Sequence, residues 1–334
     1  MKRWEIRSFG SLELADAPSA PLSAGELRVG VRAVSLNYRD LLLVEGSYNP
    51  KLRLPSVPCS DMAGEVLEVG EGVTRFAVGD RVIGSFVQSW TAGRLTRAHQ
   101  STALASPLPG VLATERVFPE GGLVRAPDTL DDVEASTLPC AALTAWHALV
   151  DHGRLTAGEA VLVQGTGGVS IFALQIAKAL GARVIATTSR SERRPRLLEL
   201  GASQVVNYRE EPAWGRAVRA LTGGAGVDHV VEVGGAGTLA QSLQAVGAGG
   251  SVYVIGILGG ASEPFNVLPV LMNEVRLQGV FVGPRDSLEA MCKALSGNAI
   301  RPVVDSVFAF DQAPDAFARL RSGAHFGKVA IRVP

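Results

Sequence analysis

The stretch Val161-Leu162-Val163-Gln164-Gly165-Thr166-Gly167-Gly168-Val169-Ser170 decides the fold. An apolar run of strand character ends in a glycine-rich turn, and an amphipathic segment, Ile171 to Leu180, follows at once. Gly165 suits a tight turn, and Gly167 lets the backbone approach an anion. The N–H groups that open the next helix then face that anion with no partners of their own. Ser170 stands where G-x-G-x-x-G has its third glycine, and it is small enough to keep helix and strand close. A second strand-like run, Ala182 to Thr188, follows the helix. This strand–turn–helix–strand order is the context a dinucleotide pyrophosphate needs. It makes Gly165, Thr166, Gly167, Gly168 and Val169 the expected contacts. The competing reading is an ordinary strand–helix turn.

Beyond this unit the alternation continues. A helix around Arg194–Leu200 precedes the strand Gln204–Asn207, and a helix around Trp214–Leu221 precedes the strand Val227–Val233. The helix Thr238–Ala245 then leads to the strand Ser251–Ile255, and Val275–Val282 would extend the sheet. Such alternation specifies a parallel sheet covered on both faces. Before it, from Glu26 to about Ser85, the pattern is β. Leu27–Val34, Ala63–Gly70 and Gly79–Gly84 read as half-buried strands separated by turns. Ser89–Gly110 lacks a period and reads as a long binding loop or lid. The texture changes near Pro127, where a helical run from Val133 to Val150 begins, broken near Pro139.

A chain of 334 residues favours two domains. Lys+Arg and Asp+Glu are both 32, which argues against a nucleic-acid or membrane-surface partner. No apolar run approaches the roughly 20 residues needed to span a bilayer. Met1–Arg7 alternates charged and apolar residues, unlike a signal peptide, and Cys59, Cys140 and Cys292 form no disulfide framework. A cytoplasmic protein acting on a small molecule is expected.

Cofactor choice is read past the second strand. NAD-selective sites carry Asp or Glu there, whereas this chain has Thr187-Thr188-Ser189-Arg190-Ser191-Glu192-Arg193-Arg194. Hydroxyl and guanidinium groups bind a 2′-phosphate that a carboxylate would repel. The expected cofactor is therefore NADP(H) before NAD(H), through Ser189 and Arg190, with Arg193 or Arg194 auxiliary. The alternative is a solvated, basic helix start.

Several ordered motifs now combine: Gly79-Asp80-Arg81-Val82, Leu138-Pro139-Cys140-Ala141-Ala142-Leu143-Thr144-Ala145-Trp146, the glycine turn, and Ser322-Gly323-Ala324-His325-Phe326-Gly327-Lys328-Val329-Ala330-Ile331. In them the whole chain resembles the medium-chain dehydrogenase/reductase superfamily. The resemblance implies an α/β protein with a GroES-like catalytic domain from both chain ends (1–125 and 284–334). It also implies a central doubly wound Rossmann domain (126–283), a cleft between the two, and a homodimer or homotetramer joined through the edge of the nucleotide-binding sheet. Thr144, Gly256, Phe281, Val282 and Lys328 join the expected cofactor contacts. Lys328 would touch a phosphate or ribose, with a structural role as its alternative.

Relatives with catalytic zinc use a Cys in Cys-x-x-Asp, a His in Gly-His-Glu and a later Cys. Here these read Asn37-Tyr38-Arg39-Asp40, Cys59-Ser60-Asp61 and Cys140. Carboxamide and hydroxyl are poor zinc ligands beside one thiol, and Ser60–Pro139 holds no cysteine for a structural zinc site. No metal is expected. With Gly46-Ser47-Tyr48, the Asn-x-x-Asp segment resembles the zinc-free quinone oxidoreductase branch. Without a Lewis acid the acceptor must be activated already, as quinones and α,β-unsaturated carbonyls are. Asn37 and Tyr48 are the candidate donors to its oxygen, each with a structural alternative. Asp40 is expected to anchor its helix start, and Glu232 to cap a turn. An alcohol dehydrogenase with side-chain polarisation and a non-catalytic NADPH-binding protein remain as rivals.

Overall fold

Period-two burial builds the first sheet in the computed structural model, which describes residues 1–334. The chain opens with the hairpin β1 (Lys2–Ser8) and β2 (Ser11–Asp16), followed by β3 (Glu26–Ser35), α1 (Tyr38–Val44), β4 (Asp61–Val69) and β5 (Arg81–Gly84). The short α2 (Arg97–Gln100), β6 (Glu115–Pro119), β7 (Leu123–Arg125) and α3 (Asp132–Ser136) come next. The central part runs α4 (Leu143–Trp146), β8 (Ala160–Gln164), α5 (Gly168–Ala179), β9 (Arg183–Thr188), α6 (Arg194–Glu199) and β10 (Gln204–Asn207). It continues α7 (Trp214–Leu221), β11 (Val227–Glu232), α8 (Ala236–Ala245), β12 (Val246–Val254), α9 (Leu268–Met272) and β13 (Arg276–Gly279). The chain closes with α10 (Arg285–Gly297), β14 (Val304–Ala309), α11 (Ala313–Arg321) and β15 (Lys328–Arg332).

Two units result: Met1–Leu143 with Val282–Pro334, and Thr144–Phe281. The first holds a sheet of order β14-β15-β3-β4-β5-β7, with β6 also on β3. β15 pairs antiparallel with β3, Ala330 opposite Ser35, so the two chain ends share one sheet. Its core gathers Leu27, Val29, Met62, Phe118, Phe317 and Ile331, all buried. At Gly64 a Cβ would lie 2.2 Å from the Gly30 carbonyl oxygen, so only glycine lets β3 and β4 approach this closely.

The second unit is a six-stranded parallel sheet, β10-β9-β8-β11-β12-β13. Numbered from β8, this is the 3-2-1-4-5-6 order of the dinucleotide fold, with its switch point between β8 and β11.

The unit boundaries differ from the expected 125/126 and 283/284, because the segment after Pro127 packs on the first sheet. Val133 clusters with Ala33 and Ala330, and Ser136 O accepts a bond from Ser35 Oγ at 2.9 Å. The helical run persists across Pro139 as a wider, π-type turn over Leu138–Ala142; proline's missing N–H accounts for the break in regular α pitch. The loop Ser89–Gly110 contains the single-turn helix α2. No helix is long and apolar enough to cross a membrane.

Candidate active site

The glycine turn forms as its residue types require. Gly165 lies at φ +72°, its N–H bonded to Thr187 O at 2.9 Å, and Gly167 is the N-cap of α5. A Cβ on either glycine would meet nothing within 4 Å, leaving the open space a pyrophosphate needs. The first backbone bond of the helix is Ile171 N–H to Gly167 O, so Gly168 and Val169 lie in the turn whose N–H groups point out of the helix end. Ser170 is buried and donates to Gln164 O at 2.6 Å, which ties helix to strand where a third glycine would merely allow contact.

Arg193, ranked as auxiliary from the sequence, reaches back to this turn and donates to Thr166 Oγ1. Ser189 and Arg190 stand half-buried just past β9, where Arg190 N–H bonds Thr188 Oγ1 at 3.2 Å. Arg194 is turned to a backbone carbonyl, Val205 O, at 3.3 Å. At the ends of β11 and β12, the buried Glu232 carboxylate accepts from Gln164 Nε2 (2.8 Å), Gly234 N–H (2.7 Å), Gly235 N–H (3.0 Å), Thr238 Oγ1 (2.5 Å) and Ser242 Oγ. It caps a turn, as its sequence position suggested. Gly256 lies where a Cβ would be 2.4 Å from Val233 O, so the chain after β12 hugs that turn. Thr144 is buried in α4, and Phe281 is half-buried at the end of this unit.

In the first unit, a polar cluster gathers the segments aligned with metal-ligating positions of the family. Lys328, at the start of β15, is 3% exposed. Its Nζ donates to Leu36 O at 2.7 Å and Asn37 Oδ1 at 2.6 Å, and lies 3.8 Å from Asp61 Oδ2. The sequence offers Lys328 either a phosphate or ribose contact or a structural role; its ammonium here donates to buried carbonyl oxygens. Asp61 also accepts from Ser60 Oγ at 2.9 Å and Cys140 N–H at 3.3 Å. Asn37, Ser60 and Cys140 therefore meet around one carboxylate and one ammonium. Burial raises the Asp61 pKa, opposed by Lys328 and by hydrogen bonds from Asn37 and Ser60. Burial also pushes the Cys140 thiol up, reinforced by Asp61. No three His, Cys, Asp or Glu side chains form a set that could hold a metal ion.

Asp40 Oδ2 accepts from Asn37 N–H at 2.8 Å and anchors the start of α1. Burial pushes its carboxyl up to about 6, against the pull of Arg39. Tyr48 is 40% exposed, whereas Asn37 Nδ2 is covered. Cys59, before Ser60, is at φ +68°, and Val282 is at φ +53°. For a β-branched residue such as Val282 the left-handed conformation is strained. Sequence reasoning placed Asn37 and Tyr48 together but gave no role to Asp61, the carboxylate on which the cluster converges.

Two family descriptions match the chain: an alcohol dehydrogenase GroES-like domain over residues 23–128 and a zinc-binding dehydrogenase domain over 168–297. A zinc-type alcohol dehydrogenase-like protein of Schizosaccharomyces pombe is 39% identical, covering 98% of this chain and 97% of its own length. An acryloyl-coenzyme A reductase of Metallosphaera sedula is 29% identical, with 96% of each covered. Among solved structures, an NAD-dependent alcohol dehydrogenase superposes with TM-score 0.91 at 33% identity, both chains fully covered. The quinone oxidoreductase of Coxiella burnetii superposes with TM-score 0.82 at 26% identity, covering 100% of this chain and 99% of its own.

Proposed function

The chain belongs to the medium-chain dehydrogenase/reductase superfamily and is an NAD(P)-dependent oxidoreductase; from that premise we propose that it reduces a quinone or α,β-unsaturated carbonyl with NADPH and without zinc. The observation that carries this reading is the Lys328 ammonium on Asn37 Oδ1. A zinc ion does not fit this donor set: Asn37 and Ser60 are weak ligands, the Cys140 thiol is held toward its protonated form, and a fixed ammonium repels a second cation.

The bound nicotinamide supplies the hydride. The chain's own residues bind and orient. The open cradle at Gly165 and Gly167 takes the pyrophosphate, with Arg193 steadying Thr166 beside it. Ser189 and Arg190 would hold the 2′-phosphate. Tyr48, with its exposed ring, donates to the acceptor oxygen. Lys328 on Asn37 Oδ1 fixes the carboxamide so that Nδ2 is the side of Asn37 left to donate. A conjugated acceptor delocalises the incoming charge, so such donors suffice where an unactivated alcohol would need a Lewis acid. The acryloyl-coenzyme A reductase and quinone oxidoreductase relatives act on acceptors of this kind.

We also assign the partner as a second copy of this chain. β13 is the edge of its sheet, and Leu271 and Met272 before it are 73% and 70% exposed. An open parallel edge beside apolar side chains is a surface that a second edge covers. Light scattering tests this, with a monomer at micromolar concentration as the opposing result.

The central test measures NADPH oxidation against a panel of quinones, enones and primary alcohols, together with the zinc content of the purified protein. Turnover of quinones or enones by zinc-free protein is expected. One tightly held zinc per subunit, or turnover confined to alcohols, overturns the reading.

A further inference from the structure

Arg39 lies in α1, within the Asn37–Asp40 segment, and its guanidinium lies over two aromatic rings. Its Cζ is 4.8 Å from the Tyr48 ring centroid and 4.7 Å from that of Phe86. One end is occupied: Nη1 donates to Leu104 O at 3.2 Å and lies 3.9 Å from Asp40 Oδ1. The other edge is unpaired: Nε and Nη2 are both buried and neither has a hydrogen-bond partner. The side chain as a whole is only 11% exposed.

Two unsatisfied charged donors in a buried place are costly and call for an occupant. The rings restrict what the occupant can be. Two aromatic rings within 5 Å of Cζ occupy space beside the guanidinium and favour an occupant that meets the fork in its plane. Nε–H and Nη2–H point in parallel, so they match two oxygens of one planar group. A single carbonyl oxygen would leave one donor unpaired, whereas a carboxylate satisfies both and neutralises the charge. Phe86 is buried, while Tyr48 is 40% exposed and so forms the solvent side of the pair.

We infer that the Arg39 fork, beside Tyr48 and Phe86, is a binding site for a substrate carboxylate, which makes the preferred acceptor a conjugated oxo acid. The substrate class rests on the proposed reduction; the carboxylate site itself does not.

The experiment uses full-length protein and two planar probes, benzoate and its neutral isostere benzamide. Wild type is expected to bind benzoate at least about tenfold more tightly than benzamide, the margin expected of a charge-assisted pair. Arg39→Met should abolish that preference. Arg39→Lys, which keeps the charge but loses the fork, should retain only part of it, with circular dichroism confirming the fold of both. The wild-type comparison stands even if a variant fails to fold. In turnover, trans-4-oxo-2-pentenoate should exceed its methyl ester in kcat/KM by a similar factor. Equal binding of benzoate and benzamide overturns the site, as does a preference that survives in Arg39→Met. A crystal soaked in benzoate that shows only water at Nε and Nη2 also overturns it. Reduction of the neutral ester without any benzoate preference removes this inference and leaves the proposed reaction intact. Benzoate preference with no acceptor turned over does the reverse.

Discussion

Lys328 Nζ and Asn37 Oδ1 meet at 2.6 Å although 291 residues separate them in the chain. The pairing of β15 with β3 brings them together, and Leu36 and Asp61 complete the ring of oxygens around the ammonium. Removing the ammonium leaves a buried carboxylate and two carbonyl oxygens without their cation. Lys328→Met is therefore expected to lower stability by about 3–5 kcal/mol, the range for breaking a buried charge pair. Urea unfolding measures it. A double-mutant cycle with Asn37→Ala should return a coupling above about 1 kcal/mol; strict additivity would mean that the two side chains do not sense each other.

Asp40 gives the same region a pH signature. Its carboxyl is raised from 3.8 to about 6, chiefly by burial. Between those values the folded protein holds a proton that the unfolded chain has released. The contribution of Asp40 to stability is thus fully present below pH 4 and is lost as pH rises through about 6. Asp40→Asn keeps an oxygen for the Asn37 N–H and removes the titration. Denaturation midpoints followed from pH 4 to 7 should fall less steeply in the variant, with a residual slope from Asp61, whose pKa is also raised. Identical slopes would exclude Asp40 as the titrating group.

The contrast between the two units explains what could be read in advance. The turn at Gly165–Val169 is local: strand, turn and helix adjoin in sequence, and each residue type carries its reason with it. The helices and strands of the parallel sheet were legible for the same reason. The start of β12 at Val246 was not, because Val246-Gly247-Ala248-Gly249-Gly250 carries the composition of a loop and becomes strand only by pairing. The Lys328 cluster was hidden more deeply. Sequence could place Asn37, Ser60 and Cys140 on the family's pattern, but that Asp61 gathers them and Lys328 neutralises them depends on strand pairing across nearly the whole chain. The unpaired edge of Arg39 likewise exists only once Phe86 and Tyr48 fold beside it.

Glu232 is expected to be intolerant even of an isosteric change. All five of its hydrogen-bond partners donate, through Gln164, Gly234, Gly235, Thr238 and Ser242. Glu232→Gln replaces an accepting oxygen with an NH2 group, which sets donor against donor in a fully buried place. The loss should be about 2–4 kcal/mol in urea unfolding. Glu232→Asp, which keeps the charge but shortens the reach, should lose less than Glu232→Gln. A neutral effect of Glu232→Gln would mean that these five donors do not depend on the second carboxylate oxygen.

Arg190 carries the cofactor prediction. It is half-buried just beyond β9, its own N–H tied to Thr188 Oγ1, which fixes the backbone there. A positive charge there favours the 2′-phosphate of NADPH and does little for the ribose hydroxyl of NADH. Arg190→Glu reverses the sign at that point. NADPH affinity should drop by about tenfold or more, while NADH affinity changes by less than about threefold, because only one of the two carries the repelled charge. Fluorescence titration of both cofactors measures the ratio directly. Equal losses for the two would assign Arg190 to the fold of the turn rather than to phosphate recognition, and would shift the 2′-phosphate contact to Arg193, the guanidinium that already touches Thr166.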